Sequence, residues 1–423
     1  MPKDYFYRCS NCSKEIPSEE VESNLIYLCP DCGKANKNEP LQGVLEIIYD
    51  YDKLSRSLSR TGFIKREAGD IRSYIELLPL EYNKASNEIK SLSQDEIKRL
   101  QLPHNSLIKY SLINQEIFFL DETKNPTFSF KDRASIPVAI KARQLGINEI
   151  SAASTGNAGS SIAGICSMLG MKSKIFVPKN IPEAKRIQIH AFGAELFVVD
   201  GDYDEAFDLC LELSKTKHWF NRNTAYNPIT IDGKKTAAFD IFIQMKGKIP
   251  DIIFVPVGDG VIISGMYKGF WELLKLGFIE KLPKLIAVQA EGSSAVVEFI
   301  KNNKFAYKPA NTIADSISAG APRNLFMAAK AVNESFGDAI KVSDDEIVLA
   351  QSELARKGFL VEPSCAAAFV GYKNYRSKIN DDELVLILLT GSGMKDFESL
   401  KKWNPEPLVQ SSEEIKKLLL NEK

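Results

Sequence analysis

The sequence predicts an α/β protein with a mostly parallel sheet covered on both faces, preceded by a four-cysteine zinc ribbon. Three observations carry this expectation. From about residue 145 to residue 390, short apolar strand patterns alternate with helical ones, and strands apolar on both faces belong to sheets buried under helices. The turns after those strands concentrate Gly, Ser, Thr and Asn, as in "ASTGNAGSS", "VGDGVIISG" and "LLTGSGMKD". Cys9, Cys12, Cys29 and Cys32 form two CxxC pairs separated by 16 residues, the spacing of a tetrahedral zinc site.

The ribbon is expected over 1–40. Such a segment is too short to bury a core, so zinc supplies its folding energy. It holds five Lys/Arg against seven Asp/Glu, whereas a nucleic-acid-binding ribbon is basic; a structural or interface role is the expectation. The start, "MPKDYFYRCS", has no signal-like apolar stretch, and disulfides are disfavoured without export. Cys166, Cys210 and Cys365 sit among apolar residues and read as core thiols. The whole chain has 423 residues, 44% hydrophobic and 26% charged, with a net charge of -1. That length suits two or three domains, and that charge gives no field favouring nucleic acid or an anionic membrane. No run reaches the roughly 18 apolar residues of a membrane span. The expectation is a soluble cytoplasmic protein with a small-molecule partner.

The elements follow in order. "GVLEIIYDY" is a strand. "EISAAS", "KSKIFVP" and "AELFVVDG" are strands, with helices at "AGSSIAGICSMLG", "PEAKRIQIHAFG" and "DYDEAFDLCLELSKTK" between and after them. Proline opens the second helix and Gly193 closes it. "DIIFVPVGDG" leads to the helix "ISGMYKGFWELLKLG"; "KLIAVQAEG" and "ELVLILLTGSG" are further strands. "EEIKKLLLNEK" is an amphipathic helix that reads as a docking or dimer element.

Ligands of such sheets bind at the carboxyl ends of strands, and four loops there carry chemistry. In "NPTFSFKDRAS", Ser129 fits an N-cap with Asp132 as its capping-box acid, which puts Lys131 in the first helical turn. A cation is disfavoured at that end of a helix, and the aromatic residues before it are expected to wall and desolvate the amine. Lys131 is thus a candidate amine nucleophile. "ASTGNAGSS" offers hydroxyls, an amide and helix N-terminal N–H groups, an anion site suited to a carboxylate. Gly258 and Gly260 lie between a strand and a helix, where a phosphate can sit; the loop is neither a dinucleotide fingerprint nor a P-loop. Thr390 ends a strand and can face a ring nitrogen without adding charge. An amine, a carboxylate site, a phosphate cup and a neutral partner together describe pyridoxal phosphate catalysis. His104, His190 and His218 lie in polar or helical surroundings and are poor catalytic candidates.

These motifs resemble the fold type II pyridoxal-phosphate enzymes, the tryptophan synthase beta superfamily, and most closely its threonine synthases. "NPTFSFKDR" is similar to N-P-T-G-S-F-K-D-R, with Phe128 where glycine is usual. "YNPITIDGKKTAAFDI" is similar to N-P-x-x-x-x-G-x-K-T, and "LTGSGMKD" to T-G-H-G-L-K-D, with Ser392 for the histidine. "VQAEGSS" and "EPSCAAA" match as well, and "TIADSISAGAPRN" is similar to a dehydratase segment. The resemblance runs from about 115 to 397. It implies two doubly wound domains, the larger over 41–144 and 241–400, the smaller and mobile one over 145–240, with a tail at 401–423, and homodimers. It implies that Lys131 carries pyridoxal phosphate as a Schiff base and shuttles protons. Asn157 would bond the cofactor's phenolic oxygen. Gly258, Asp259, Gly260, Val261 and Ile262 would cup its phosphate, with Asp259 turned away or paired, and Thr390 would face the ring nitrogen. Ser154, Thr155, Gly156 and Ala158 would hold the substrate carboxylate. The implied reaction is O-phosphohomoserine plus water to threonine plus phosphate. A serine/threonine dehydratase, a β-replacing synthase of cysteine or cysteate type and a non-catalytic sensor are the alternatives. The family's substrate-phosphate donors, an arginine and two hydroxyl or amide groups, are missing from "TAYNPIT" and at Ala158. Arg133, Lys234, Lys235 and Arg323 are the candidate replacements.

Overall fold

The computed structural model describes residues 4–421, apart from 84, 85, 87, 113, 114, 155, 180, 202 and 405–408. Two sheets organise it. The larger has six strands in the order Asp338–Val342, Lys284–Ala290, Ile252–Pro256, Val385–Leu389, Gln115–Asp121 and Leu107–Leu112. All neighbours are parallel except the last pair, an antiparallel edge. Val385–Leu389 and Ile252–Pro256 are buried at every residue, as a sheet covered by helices on both faces requires. The smaller sheet is parallel throughout, in the order Glu195–Val199, Lys172–Pro178, Glu149–Ala153 and Phe220–Asn221. The short strand Phe220–Asn221 is one the sequence pattern missed.

Four helices join the sheets. Asp132–Gln144 packs on Asn157–Met168 and on Ile229–Gln244, and the last packs along Val261–Lys275. The approach is close because of glycine: a Cβ on Gly265 would lie 2.7 Å from Lys234 Cβ, and one on Gly269 2.4 Å from the Lys235 carbonyl oxygen. Ile229–Gln244 is buried along nearly its whole length, so it carries no amphipathic signal.

The ribbon's sheet takes its third strand from beyond residue 40: Tyr5–Cys9 pairs with Glu15–Pro17 and with Leu45–Tyr49. It docks through buried polar contacts. Glu22 takes Lys141 Nζ at 3.0 Å, Lys268 Nζ donates to the Ile47 carbonyl at 2.6 Å, and Tyr49 bonds Asp232. At the other end of the chain, helix Ser412–Asn421 forms where expected, with Leu418, Leu419 and Leu420 exposed. No helix among the described residues is long and apolar enough to cross a membrane.

Candidate active site

The loop that carries Lys131 is built by side-chain bonds rather than by the expected cap. Helix Asp132–Gln144 starts two residues later than the capping-box reading, with Lys131 at the N-cap position. Ser129 is not the cap; its buried hydroxyl has no partner among the described residues. Asp132 folds back instead on Thr127, taking its N–H at 2.7 Å and its hydroxyl, and also takes the Ser161 hydroxyl at 2.6 Å. Phe128 holds the left-handed turn at φ +65°, the conformation that suits the glycine usual there.

The aromatic wall is also absent. Phe128 is half exposed, and Phe130 is in the core under the Arg133 guanidinium. Burial among the cavity's other walls lowers the Lys131 pKa, opposed by Glu362 and reinforced by Arg222.

The loop is stitched to the end of strand Val385–Leu389. Phe130 N–H donates to the Thr390 carbonyl at 2.9 Å and Ser392 N–H to the Phe128 carbonyl at 3.1 Å. Lys395 Nζ bridges the Thr127 carbonyl and the Ser160 hydroxyl at 2.8 and 2.9 Å, and burial pushes its pKa down to about 8. These bonds set Lys131 and Thr390 on the walls of one cavity of about 630 Å³.

Ser154, Gly156, Asn157 and Ala158 line the same cavity, as do Gly258, Asp259, Gly260, Val261 and Ile262. Every residue expected to bind the cofactor or the substrate carboxylate is therefore brought together among the described residues; Thr155 lies outside them. Gly156 N–H donates to the Ser154 hydroxyl at 3.1 Å, and Gly156 starts helix Asn157–Met168, whose first N–H groups have no partner within the helix. Gly260, at φ +89°, starts helix Val261–Lys275. A Cβ on Gly258 would meet Ile317 Cα at 2.9 Å, and one on Gly260 would meet Ala328 Cβ at 2.6 Å. Only glycine forms this cradle. The Asp259 carboxylate does not need a cation: it accepts the Arg323 backbone N–H at 3.0 Å.

Three groups were not expected. Glu362, fully buried, takes Asn157 Nδ2 at 2.6 Å and pairs with Lys185 Nζ at 3.0 Å. Lys185 also pairs with Asp315 at 2.5 Å, and these carboxylates hold it protonated against its burial. This tie crosses from a helix over the small sheet to segments beside the large one. A Cβ on Gly391 would lie 2.1 Å from Glu362 Oε2, so glycine there admits the carboxylate. "EPSC" and "PEAKR" contain these residues, but a pairing between distant segments has no local signal. Cys365, the core thiol of "EPSC", accepts the Thr390 and Gly391 N–H groups at 3.0 and 3.1 Å, and burial pushes its pKa up to about 11.

The site fits pyridoxal phosphate on its own features. It has a deprotonation-prone amine, a glycine cradle at a helix start, a neutral hydroxyl at Thr390, and an Asn157 Oδ1 that is buried with no partner among the described residues. The family model described as pyridoxal-phosphate dependent enzyme matches residues 101–391. The chain belongs to the pyridoxal-phosphate-dependent enzymes. The threonine synthase of Methanocaldococcus jannaschii is 36% identical over 98% of this chain and 99% of its own. That of Methanosarcina acetivorans is 33% identical over 96% of each. Within the family the chain is thus a threonine synthase-like lyase. The processed form of threonine deaminase isoform 2 from Solanum lycopersicum shares the fold, with a TM-score of 0.60 and 22% identity over 88% of this chain and 92% of that one.

The N-terminal cysteines also converge. The four sulfurs of Cys9, Cys12, Cys29 and Cys32 lie within 4.8 Å of one another, and none is in a disulfide. A Cβ on Gly43 would lie 2.7 Å from Gly33 Cα, so both turns of the cluster depend on a bare backbone.

Proposed function

We propose that the chain is a threonine synthase, converting O-phosphohomoserine and water to threonine and phosphate. One observation carries the reading: the correspondence with a curated threonine synthase runs through 98% of this chain. Pyridoxal phosphate, when bound, supplies an electron sink for charge left on a substrate carbon. Lys131 would hold it through Nζ, Gly258 to Ile262 would cup its phosphate, Asn157 would bond its ring oxygen and Thr390 would face its ring nitrogen. The Thr390 hydroxyl adds no charge there, which suits elimination and replacement over transamination. Ser154, Thr155, Gly156 and Ala158 would bind the substrate carboxylate with hydroxyls and helix N-terminal N–H groups. The Lys131 amine, kept short of its proton by desolvation, can then take and return protons at substrate carbons.

In the same reading, Cys9, Cys12, Cys29 and Cys32 hold one structural zinc, with all four positions filled by thiolates. The large sheet and its helices form a domain of 41–144 and 241–400. The small sheet forms a mobile one of 145–240, and 401–423 is a tail. The active form is a cytoplasmic homodimer. The deciding experiment follows phosphate and threonine from O-phosphohomoserine. The reading expects the two in equal amount. No release, with a keto acid formed from serine or threonine, replaces it with a dehydratase.

A further inference from the structure

A phosphorylated substrate brings a dianion into a buried cavity, where it is costly without charge-assisted partners. Four cations are candidates to replace the missing donors, and the structure distinguishes among them. Arg133 is spent on Glu122 at 2.6 Å and Asp240 at 2.7 Å. Lys235 is spent on Glu272 at 2.9 Å and Asp232 at 3.0 Å. The Arg323 guanidinium donates to the Asn36 and Glu39 carbonyls, away from the cavity. Lys234 alone of the four lines the cavity, and among the described residues it makes no hydrogen bond or ion pair.

The polar groups of the neighbouring turn are spent too. Thr230 donates to the Asn227 carbonyl at 2.7 Å, and Asn227 bonds the Asn221 carbonyl and the Ile229 N–H. What remains beside Lys234 is positive. Its electrostatic neighbours are Lys131 and Arg222, and the one anion among them, Asp259, is already engaged with a backbone N–H. Arg222 is fully buried, its Nη2 has no partner among the described residues, and its Nη1 holds Thr224, which lines the cavity. Asp132 acts on Arg222 from a distance, but neither cation is in an ion pair among the described residues; such buried charges are expensive, and an anion that enters the cavity offsets that cost. The cofactor's phosphate has its own backbone cradle at Gly258 and Gly260.

We propose that Lys234, backed by Arg222 and Thr224, binds the phosphate of the phosphorylated substrate. This rests on the threonine synthase reading and adds the residue that sets its preference for a dianionic leaving group. In Lys234→Gln holoenzyme, kcat/KM for O-phosphohomoserine falls about 10- to 100-fold, the range for a lost charged hydrogen bond. Inorganic phosphate, as a competitive inhibitor, weakens by a similar factor. Lys234→Arg recovers part of both, and cofactor content stays at one per chain. Unchanged kcat/KM and unchanged phosphate inhibition in Lys234→Gln overturn the proposal. So does loss of cofactor with phosphate inhibition intact, which would assign Lys234 to the cofactor. If the wild-type enzyme does not act on O-phosphohomoserine, the functional reading has failed, and calorimetric titration of holoenzyme with inorganic phosphate tests the site by itself. Binding lost in Lys234→Gln supports the anion site; no binding to the wild type sinks it.

Discussion

Lys234 and Lys235 are adjacent on one buried helix, yet among the described residues Lys235 has two carboxylate partners and Lys234 has none. Their surroundings divide the molecule's buried charges into two kinds. Around Lys235, Asp232 and Glu272 also hold Lys268, at 3.3 and 2.7 Å, and Tyr51 donates to Glu272 at 3.0 Å. Charges in this cluster satisfy one another and fasten the ribbon's third strand to the helices. Around Lys234, Lys131 faces the cavity, and Arg222 stands behind Thr224, which also lines it. A buried charge with partners holds structure together. A buried charge without them is a standing cost, kept where a ligand will offset it.

The comparison breaks most sharply at Lys131. Lys131→Ala should lower turnover by about 10³-fold or more, the scale of a lost proton-transfer group. Borohydride should then fix no cofactor to the peptide 125–135. The stability of the apoprotein should hold or rise, because no partner of the amine is left behind. A large stability loss would place Lys131 with the structural charges instead. On the paired side, Glu272→Gln leaves Lys235 and Lys268 sharing one carboxylate. It should cost about 3–5 kcal/mol in denaturant unfolding. A cost under about 1 kcal/mol would mean that the cluster is no fastening.

Lys234→Met tests the unpaired side through pH. Burial and two neighbouring cations hold the folded pKa of Lys234 well below its ordinary 10.5. The unfolded chain therefore binds a proton that the folded one lacks, between the folded value and 10.5. Over that window wild-type stability rises with pH by about 1.4 kcal/mol per unit relative to the variant. In apoprotein free of phosphate, Lys234→Met should be the more stable protein at neutral pH, with an advantage that shrinks towards pH 10.5. An advantage that is flat across pH would show that Lys234 has a partner in solution.

Much of this was legible in the sequence, and the limits have physical causes. Strands buried on both faces announce themselves by continuous apolar runs, so "KSKIFVP" became Lys172–Pro178. The loops after them carry glycines and hydroxyls in local patterns, which is why Ser154, Asn157, Gly258 and Thr390 could be gathered from spacing and resemblance alone. Glu362 and Lys185 could not, since their pairing joins residues 177 positions apart, 185 to 362. Ser129 misled because a capping box is a statistical pattern of two residues, and here Asp132 has a better partner in Thr127. Lys234 and Lys235 look identical in sequence. Helical geometry turns one towards the cavity and the other towards Glu272, and only packing tells which.

The smallest effect concerns the turn that delivers the unpaired amine. Phe128 holds φ +65°, with its N–H on the Asn125 carbonyl at 2.7 Å and its own carbonyl on Ser392. A side chain in that left-handed region costs about 1 kcal/mol, which glycine avoids. Replacing Phe128 by either Gly or Ala removes the same half-exposed ring, so the difference between the two variants isolates the backbone. In an ordinary strand or helix alanine is the more stable by about 0.5–1 kcal/mol. Here the order should invert, with Phe128→Gly more stable than Phe128→Ala by about 1 kcal/mol in denaturant melts. Both should retain the cofactor on Lys131, because the turn is held by its hydrogen bonds to Asn125 and Ser392 rather than by the ring. If alanine proves the more stable, the left-handed turn is not what brings Lys131 to the cavity.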